Sequence, residues 1–448
     1  MNEQKTVAII GAGPVGLAAA AHAIERGLNP IVLESGVTAG AAVRAWGHVR
    51  MFSPWRYNVD AAASRLLTHT GWNAPDPNDY PTGAELYERY LQPLADRTSL
   101  ADHIMVSSRV MSVTRAGFDK VKSKRREQAP FELSVVNGNG TKVIKAQSVI
   151  DASGTWLTPG PAGANGTRAV GEAENAAAVS YGMPDIFGVE RHRFAGRTVA
   201  VVGAGHSAIG NLIELAGLRE QEPSTKIIWL LRGDTPNKSY GGGANDQLAE
   251  RGALGLRMAS LVEQGVIQVE TSFPVTHLNI LEGRLRVGAG SACCGRHVVV
   301  DHLIVSTGFR PDLSFLSELR VALDPALDCP PDLAPLIDPN LHSCGSVRPH
   351  GARELAHPEP GFYIAGMKSY GRAPTFLMAT GYEQVRSIVA DIAGDKRAAA
   401  RVELVLPETG VCSGPSIASV AAIATSCCAA PKSAATEKVA PPAASKCC

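Results

Sequence analysis

A glycine-rich turn between an apolar run and a helix-compatible stretch occurs twice in this chain, and no other feature constrains its fold as strongly. In the first copy, the β-rich residues 6–10 lead directly into residues 11–16, which read GAGPVG, and a helix-compatible stretch follows. A second apolar run then ends at Glu34. Strand, glycines, helix, strand and acid in this order are typical of a βαβ unit that binds a dinucleotide.

Each residue type in the first copy has a mechanical reason. Gly11 makes the tight turn, Gly13 lets the backbone approach a pyrophosphate, and Gly16 allows the helix to pack closely on the strand. Pro14 completes the predicted contact set at the start of the helix, where unpaired N–H groups and partial positive charge favour phosphates. Glu34 can accept hydrogen bonds from ribose hydroxyls.

The second copy follows the apolar run at residues 197–202 and differs from the first in charge. The next apolar run, at residues 226–231, ends in Arg232, where the first copy has an acid. A cation there favours a ribose 2′-phosphate, hence NADPH over NADH, with Lys238 as a weaker second contact; the alternative is a solvated arginine at a strand end. The predicted nucleotide contacts in this turn are Gly203, Gly205, His206, Ser207 and Ala208.

Two dinucleotide sites on one chain point to hydride passage from a nicotinamide to a flavin. Three more segments support a flavin: residues 148–154 and 302–308 are apolar strands that end in small-residue turns, and a helix is predicted from Ala373. A helix N-terminus beside a flavin ring would stabilise negative charge on the reduced ring. The further flavin contacts predicted from these segments and from residues 361–366 are Gly154, Gly366 and Thr375.

The paired turns, one with Glu34 and the other with Arg232, resemble those of two-dinucleotide-binding flavoproteins. Within that group the chain is most similar to the FAD- and NADPH-dependent flavin-containing monooxygenases, over about residues 5–410. The resemblance implies an α/β fold with two Rossmann-like domains, the NADPH domain being inserted in a discontinuous FAD domain. The predicted parts are an FAD-binding domain at 1–165 and 303–412, an NADPH-binding domain at 166–302 and a disordered Cys-rich tail at 413–448.

Among the departures of the chain from the families it resembles, two bear directly on the choice between monooxygenase and reductase. The Phe-x-Gly-x-x-x-His motif of flavin-containing monooxygenases is present only as Gly188 with His192. No cysteine occurs from Met1 to Ala292, where disulfide reductases of this fold would carry a redox pair. Ordinary disulfide-reductase chemistry is therefore disfavoured, although a pair contributed late in the chain stays open.

Three segments, residues 46–58, 366–376 and 406–412, resemble flavoproteins associated with bacterial arsenic resistance. That subgroup implies oxidation of trivalent (methyl)arsenicals to pentavalent forms with NADPH and molecular oxygen. The wall facing the flavin is expected from residues 46–58, with Arg50, Trp55 and Asn58 as the candidate catalytic contacts. The alternative is that the tryptophans are ordinary core residues and Arg50 a surface residue.

The chain has nine cysteines, and all of them follow Ala292. Thiolates suit trivalent arsenic because both are soft, whereas the spacing matches no structural zinc site. For Cys329 and Cys344 the preferred interpretation is a small buried hydrophobe. The predicted metalloid ligands are Cys293, Cys294, Cys412, Cys427, Cys428, Cys447 and Cys448, and the alternatives are a redox dithiol or idle thiols.

The charge balance limits the partners. Lys and Arg total 43 against 42 Asp and Glu, which predicts no dominant nucleic-acid or anionic-membrane surface. No run of about 20 apolar residues and no secretory signal is recognised, so the expected location is cytoplasmic. The leading hypothesis is a monooxygenase acting on a small-molecule or metalloid substrate; the alternatives are a thiol-disulfide or metal-ion reductase and a non-catalytic metalloid-binding flavoprotein. The oligomeric state stays open.

Overall fold

The computed structural model describes residues 4–241, 243, 246, 248–291, 295–341, 347–374 and 376–404. Contacts divide the chain into Met1–Gly414 and Pro415–Cys448, and the elements below all belong to the first unit. The described strands are β1 (Thr6–Ile10), β2 (Asn29–Leu33), β3 (Ile104–Met105), β4 (Arg109–Arg115), β5 (Phe131–Asn137), β6 (Gly140–Ala146), β7 (Ser148–Asp151), β8 (Val179–Tyr181), β9 (Thr198–Val202), β10 (Lys226–Leu230), β11 (Gln268–Glu270), β12 (Val275–Leu281), β13 (Arg284–Ala289), β14 (Arg296–Val300), β15 (His302–Val305) and β16 (Phe362–Ile364).

Most of the described α-helices lie between these strands along the chain, and the last two follow β16. They are α1 (Pro14–Glu25), α2 (Ala41–Ala45), α3 (Ala61–Thr68), α4 (Gly83–Leu86), α5 (Gln92–Arg97), α6 (Arg191–Phe194), α7 (His206–Gln221), α8 (Ala249–Glu263), α9 (Ala334–Ile337), α10 (Met378–Ile392) and α11 (Lys396–Ala400). Short 3₁₀ turns at Trp55–Tyr57, Asn237–Tyr240, Ser314–Leu316 and Gly366–Tyr370 bear on the site. None of the helices in the described ranges is long and apolar enough to cross a bilayer.

The first parallel sheet has the order β16-β7-β1-β2-β3. Ile10 at the end of β1 lies opposite Leu33 of β2 on one side and Asp151 of β7 on the other. The carboxyl ends of these three strands therefore meet at one edge, where open α/β sheets bind their ligands. A separate antiparallel sheet, β4-β5-β6, lies between β3 and β7 along the chain.

The second parallel sheet, β11-β10-β9-β15-β8, repeats this arrangement. Val202 at the end of β9 lies opposite Leu230 of β10 and Val305 of β15. All strands of this sheet fall between β7 and β16 in sequence, yet β16 pairs with β7 in the first sheet. The expected fold, with one Rossmann-like domain inserted in a discontinuous other, is confirmed, while the domain boundaries stay a prediction.

Helix α1 is almost fully buried because its interior residues are small. Leu17 and the alanines at 18–21 have no exposed surface, so the helix lies close to the first sheet and to α10. Alanine also has the highest helix propensity. At its far end, Nε2 of His22 lies 3.1 Å from Oδ2 of Asp60, whose Oδ1 accepts the N–H of Ala63 as the N-cap of α3. The site therefore rests on a rigid helix.

The last long helix begins later than the sequence predicts. Helix α10 starts at Met378 rather than Ala373, because Leu377 is in an extended conformation and serves as its N-cap. Between β16 and α10, residues Gly366–Tyr370 form a 3₁₀ turn.

Candidate active site

The first glycine turn is shaped by close packing on one side and open space on the other. Gly11 has a φ of +96°, and a Cβ there would lie 2.7 Å from the carbonyl oxygen of Ala152. A Cβ at Gly16 would clash with the carbonyl of Gly11, whereas one at Gly13 would meet nothing within 4 Å. Helix α1 starts at Pro14 without a side-chain cap, so its first N–H groups are available to an anion.

Glu34 lies beside this turn, as expected from its position at the end of β2. Its carboxylate accepts the N–H of Ala12 at 2.7 Å and the N–H of Gly36 at 2.7 Å. Two carboxylate oxygens have about four acceptor sites, so capacity remains for a ribose diol. The residues at this end of the first sheet fit the adenosine diphosphate part of a dinucleotide.

The second glycine turn repeats the arrangement. Gly203 has a φ of +139°, and a Cβ there would clash with the carbonyl of Ser306, the residue that follows β15. Gly205 is the N-cap of α7, and a Cβ there would meet nothing within 4 Å. Ala208 takes the place of the third glycine and is fully buried. The turn therefore fits a second pyrophosphate.

The two predicted phosphate-binding cations are exposed to solvent. Arg232 follows β10, and its Nη1 donates to the carbonyl of Ala164 at 3.0 Å. Lys238 lies in the 3₁₀ turn Asn237–Tyr240. Both side chains can reorient toward a ligand at little cost.

His206, the first residue of α7, is held neutral by its surroundings. Burial lowers its pKa to about 4, and the nearby Arg251 cation adds to this while Asp246 opposes it. The ring centroid lies 5.3 Å from that of Phe52, a residue of the predicted flavin-facing segment 46–58. The two nucleotide-binding halves therefore meet at the start of α7, a contact that sequence reasoning missed.

The three candidate catalytic residues differ in their availability. Arg50 donates through Nη1 to the carbonyl of Tyr80 at 2.7 Å and is exposed. Trp55 is only 2% exposed. Asn58 is fully buried, and its Nδ2 donates to the carbonyls of Ser53 and Pro54 at 2.8 and 3.1 Å. The amide of Asn58 therefore fixes the fold of its own turn.

Arg50 and Trp55 line a cavity of about 320 Å³, which Asn58 does not. The guanidinium of Arg89 lies 5.6 Å from the Trp55 ring centroid. The pKa of Glu85 is lowered chiefly by a hydrogen bond from the backbone of Thr82, with Arg50 and Arg89 contributing. The lining residues are Arg50, Trp55, Asp79, Tyr80, Glu85, Arg89 and, from α8, Glu250.

The remaining predicted flavin contacts are only partly described. Gly154 follows β7 and has open space around its α-carbon, whereas a Cβ at Gly366 would lie 3.3 Å from Cγ2 of Val15. Gly366 therefore packs on the start of α1, near the glycine turn. Thr375 lies outside the described residues.

The predicted metalloid ligands lie outside the part of the chain that the structure describes. Cys293, Cys294, Cys412, Cys427, Cys428, Cys447 and Cys448 all lie outside the described residues, as does Cys344. Cys329 is fully buried, and burial raises its pKa to about 12. Within the described ranges, no group of three or more His, Cys, Asp or Glu residues is arranged to hold a metal ion.

A buried ion pair joins the end of β7 to the 3₁₀ turn that follows β16. Nζ of Lys368 lies 2.7 Å from Oδ2 of Asp151, and neither side chain is exposed. The sequence predicts an apolar strand ending in a small-residue turn at residues 148–154 and a strand at residues 361–366, and it does not predict this pair. The one available signal was a charged residue directly after each of two apolar runs.

Comparison with known proteins places this geometry among flavoproteins. A family model described as "Pyridine nucleotide-disulphide oxidoreductase" matches residues 8–329. Flavin-containing monooxygenase 1 of Rattus norvegicus is 33% identical over 113 residues, which are 25% of this chain and 21% of that protein. The match thus spans about a fifth of the length of the rat protein.

Two solved structures share the fold. Bacillithiol disulfide reductase Bdr (YpdA) from Bacillus cereus has a TM-score of 0.64 at 20% identity, covering 88% of this chain and 99% of that one. The cadaverine monooxygenase DfoA from Erwinia amylovora, solved with FAD, has a TM-score of 0.62 at 12% identity, covering 91% and 98%. Reductases and monooxygenases are thus both built on this fold.

These matches support the predicted enzyme class and cofactors but not the predicted substrate. The expectation of an enzyme of the flavin-dependent oxidoreductase class is confirmed, as are FAD and a pyridine dinucleotide as its cofactors. An arsenical substrate finds no support among these proteins and stays a proposal.

Proposed function

Because the chain belongs to the pyridine nucleotide-disulphide oxidoreductase family, we propose that it is an NADPH- and oxygen-dependent FAD monooxygenase acting on a soft nucleophile. The observation that carries this proposal is the absence of cysteine from Met1 to Ala292, a stretch that holds both glycine turns. A disulfide reductase passes electrons from flavin to a thiol pair. Without such a pair in this stretch, oxygen is the acceptor we expect.

The first glycine turn would hold FAD. Gly11 and Gly13 present the turn and the start of α1 to the pyrophosphate, and Glu34 accepts the ribose hydroxyls. When bound and reduced, FAD supplies the activation of oxygen. The protein's own part is to hold the cofactor rigidly and to exclude water from the reacting centre.

The second glycine turn would hold NADPH. Gly205 opens the start of α7 to the pyrophosphate, while Arg232 and Lys238 provide positive charge for the 2′-phosphate. His206 stays neutral because its pKa is lowered to about 4, so the helix N-terminus rather than a side-chain charge attracts the phosphates there. The exposure of both cations suits a cofactor that enters and leaves in each turnover.

Residues 46–58 would form the substrate side of the site. Phe52 of this segment contacts His206 at the NADPH turn, and Arg50 and Trp55 line the charged cavity nearby. We assign Arg50 and Trp55 to substrate contacts and Asn58 to holding the segment in place. The proposed substrate is a trivalent methylarsenical, whose arsenic lone pair is a soft nucleophile.

The late cysteines support a thiophilic substrate. Three pairs of adjacent cysteines occur at 293–294, 427–428 and 447–448, and thiolates are the ligands that soft ions prefer. We propose that they capture the trivalent arsenical and deliver it to the flavin. A variant truncated after Cys412 would then keep its rate at saturating substrate but need more substrate to reach it.

The test compares NADPH oxidation with methylarsenite, arsenite and a thioether, in air and under argon. We expect methylarsenite to accelerate NADPH oxidation in air, with one oxygen consumed per NADPH. Under argon, turnover should stop once the flavin is reduced. Equal NADPH oxidation with all three compounds, or none with any, would contradict the proposal.

A reductase is the second candidate, favoured by the fold shared with bacillithiol disulfide reductase. In this case a C-terminal pair such as Cys427–Cys428 or Cys447–Cys448 would serve as the dithiol. NADPH turnover under argon would then continue on addition of a disulfide or Hg²⁺, and truncation after Cys412 would abolish it.

A further inference from the structure

The buried ion pair between Lys368 and Asp151 joins the 3₁₀ turn after β16 to the end of β7, the strand next to β1. We propose that this pair is a positioning device for FAD: it fixes the turn on which the FAD-binding loop packs. The inference rests on the part of the proposed function that assigns FAD to residues 11–16, and it does not depend on the substrate.

Asp151 controls the turn that follows β7. Its Oδ1 accepts the backbone N–H of Ser153 at 3.1 Å and the Ser153 hydroxyl at 2.6 Å. The turn between them brings the carbonyl of Ala152 to 2.7 Å from where a Cβ of Gly11 would lie. One carboxylate thus sets the surface against which the first glycine packs.

Lys368 holds the other oxygen of that carboxylate. Its Nζ lies 2.7 Å from Oδ2 of Asp151 and donates to the Ser153 hydroxyl at 3.0 Å. The same ammonium lies 4.5 Å from the ring centroid of Phe315. Lys368 and Asp151 are both buried, whereas Ser153 is exposed and Phe315 is half-buried.

The turn that carries Lys368 is itself held from the opposite side. The N–H of Gly366 donates to Oε1 of Gln384 at 2.8 Å, and Nε2 of Gln384 donates to the Ser369 hydroxyl at 2.9 Å. Nε2 of His350 also contacts that amide nitrogen at 2.9 Å. This network connects α10 to the 366–370 turn and thereby fixes the turn from which Lys368 reaches Asp151.

A purely structural role does not account for a charged pair here. Well-packed apolar residues of similar volume stabilise a core as well as a buried ion pair does, or better. Apolar residues, however, cannot accept the N–H and hydroxyl of Ser153. What the charges add is the fixed direction of the 152–154 turn, and through it the placement of Gly11.

The experiment measures FAD affinity and apoprotein stability in parallel. Apoprotein of the wild type, Lys368→Met, Asp151→Asn and the double variant is titrated with FAD by flavin fluorescence, and thermal unfolding is followed without FAD. We expect each single variant to weaken FAD binding by about tenfold or more, the loss that accompanies a charge-assisted hydrogen bond. The double variant should regain thermal stability without regaining FAD affinity.

Ser153→Ala keeps the proposal testable if a single charged variant does not fold. It removes only the hydroxyl shared by Asp151 and Lys368, so we expect an unchanged unfolding temperature and FAD binding weakened by about threefold to tenfold. Arg126→Met is the matched control. Arg126 pairs with Glu359 at side-chain exposures of 1% and 0%, away from α1, so its loss should lower the unfolding temperature without weakening FAD binding.

Two results would overturn the inference. One is a double variant that folds and binds FAD within twofold of the wild type. The other is a loss of FAD binding in Arg126→Met as large as in Lys368→Met. A wild-type chain that binds FAD and oxidises NADPH alongside such variants would leave the proposed function standing, whereas a wild type without FAD binding would remove both.

Discussion

The two glycine turns share one backbone design but stand on different chemical supports. In both, the first glycine packs against a carbonyl in the turn after the neighbouring strand, and the second faces open space. The first turn rests on the buried ion pair of Asp151 and Lys368. The second rests on neutral groups, because Nδ2 of Asn211 donates to the Ser306 hydroxyl at 2.9 Å.

The residues proposed to contact the ribose also differ between the two sites, in charge and in exposure. Glu34 is partly buried and bonded to its own turn, whereas Arg232 is exposed. The backbone of the glycine turns, which both sites share, determines where a dinucleotide can bind but not which residues surround it. We propose that the ionic support belongs to the cofactor that stays bound and the neutral support to the one that exchanges.

Alanine at each first glycine should give the largest effect and separate the two sites. Gly11→Ala places a Cβ 2.7 Å from the Ala152 carbonyl at a strained φ of +96°, so we expect loss of bound flavin. Gly203→Ala should keep the flavin and lose reduction by NADPH. Flavin absorbance after purification and NADPH reduction rates measure both.

Gly138→Ala is the matched control, since a Cβ there would meet nothing within 4 Å. Flavin loss in Gly203→Ala but not in Gly11→Ala would reverse the assignment of the two turns.

The second prediction concerns the positive charge of Arg232 at the second glycine turn. Arg232→Ala removes the cation proposed for the 2′-phosphate, so we expect KM for NADPH to rise about tenfold to a hundredfold, as for loss of a charge-assisted pair. KM for NADH should hardly change. Arg257→Ala, at an exposed arginine of α8, is the control. Equal effects on both nucleotides would refute the 2′-phosphate role.

The neutral His206 predicts a pH dependence of stability. Its pKa is lowered from 6.5 to about 4 in the fold, so the unfolded chain binds the extra proton between these values. Its contribution is therefore present above about pH 6.5 and is lost as pH falls toward 4. His206→Asn should reduce the loss of unfolding free energy between about pH 7 and pH 5, by about 1–2 kcal/mol.

Urea unfolding at both pH values measures this difference, with the exposed His69→Asn as the control. His302 and His357, whose pKa values burial also lowers to about 4, will leave part of the acid slope in place. An unchanged slope in His206→Asn would show that the histidine is hydrated.

The smallest effect on cofactor binding is expected at Ser306, in the neutral support of the second glycine turn. Ser306→Ala removes one neutral hydroxyl bonded to Asn211 and Gly182, so we expect KM for NADPH to rise by about threefold at most. FAD affinity should not change. Comparison with Ser153→Ala tests whether the ionic turn is the more demanding of the two, and a larger effect in Ser306→Ala would contradict that difference.

The sequence was sufficient to predict those features of the fold and site that depend on residues close together in the chain. Both glycine turns, Glu34 and Arg232 lie within βαβ units of local spacing, so residue type alone indicates their positions. The pairing of β16 with β7 joins distant parts of the chain, and only the family resemblance implied it. The only local signal for the Lys368–Asp151 pair is a charged residue after each of two apolar runs, and it is weak because lysine is ordinarily exposed.

The catalytic candidates show the same limit. Asn58 is a polar residue in the predicted flavin-facing segment, yet its amide donates to the carbonyls of Ser53 and Pro54. A sequence pattern does not show which polar side chains form their hydrogen bonds with the backbone of their own turn. The contact between Phe52 and His206 depends on how two distant segments pack, which spacing cannot specify.

The fate of molecular oxygen tests the central claim most directly. The enzyme is supplied with NADPH, ¹⁸O₂ and the compound that most accelerates NADPH oxidation, and the product is analysed at once by mass spectrometry. A monooxygenase gives one ¹⁸O atom in the product for each NADPH consumed. Product without ¹⁸O, or the same NADPH turnover under argon, would contradict the account.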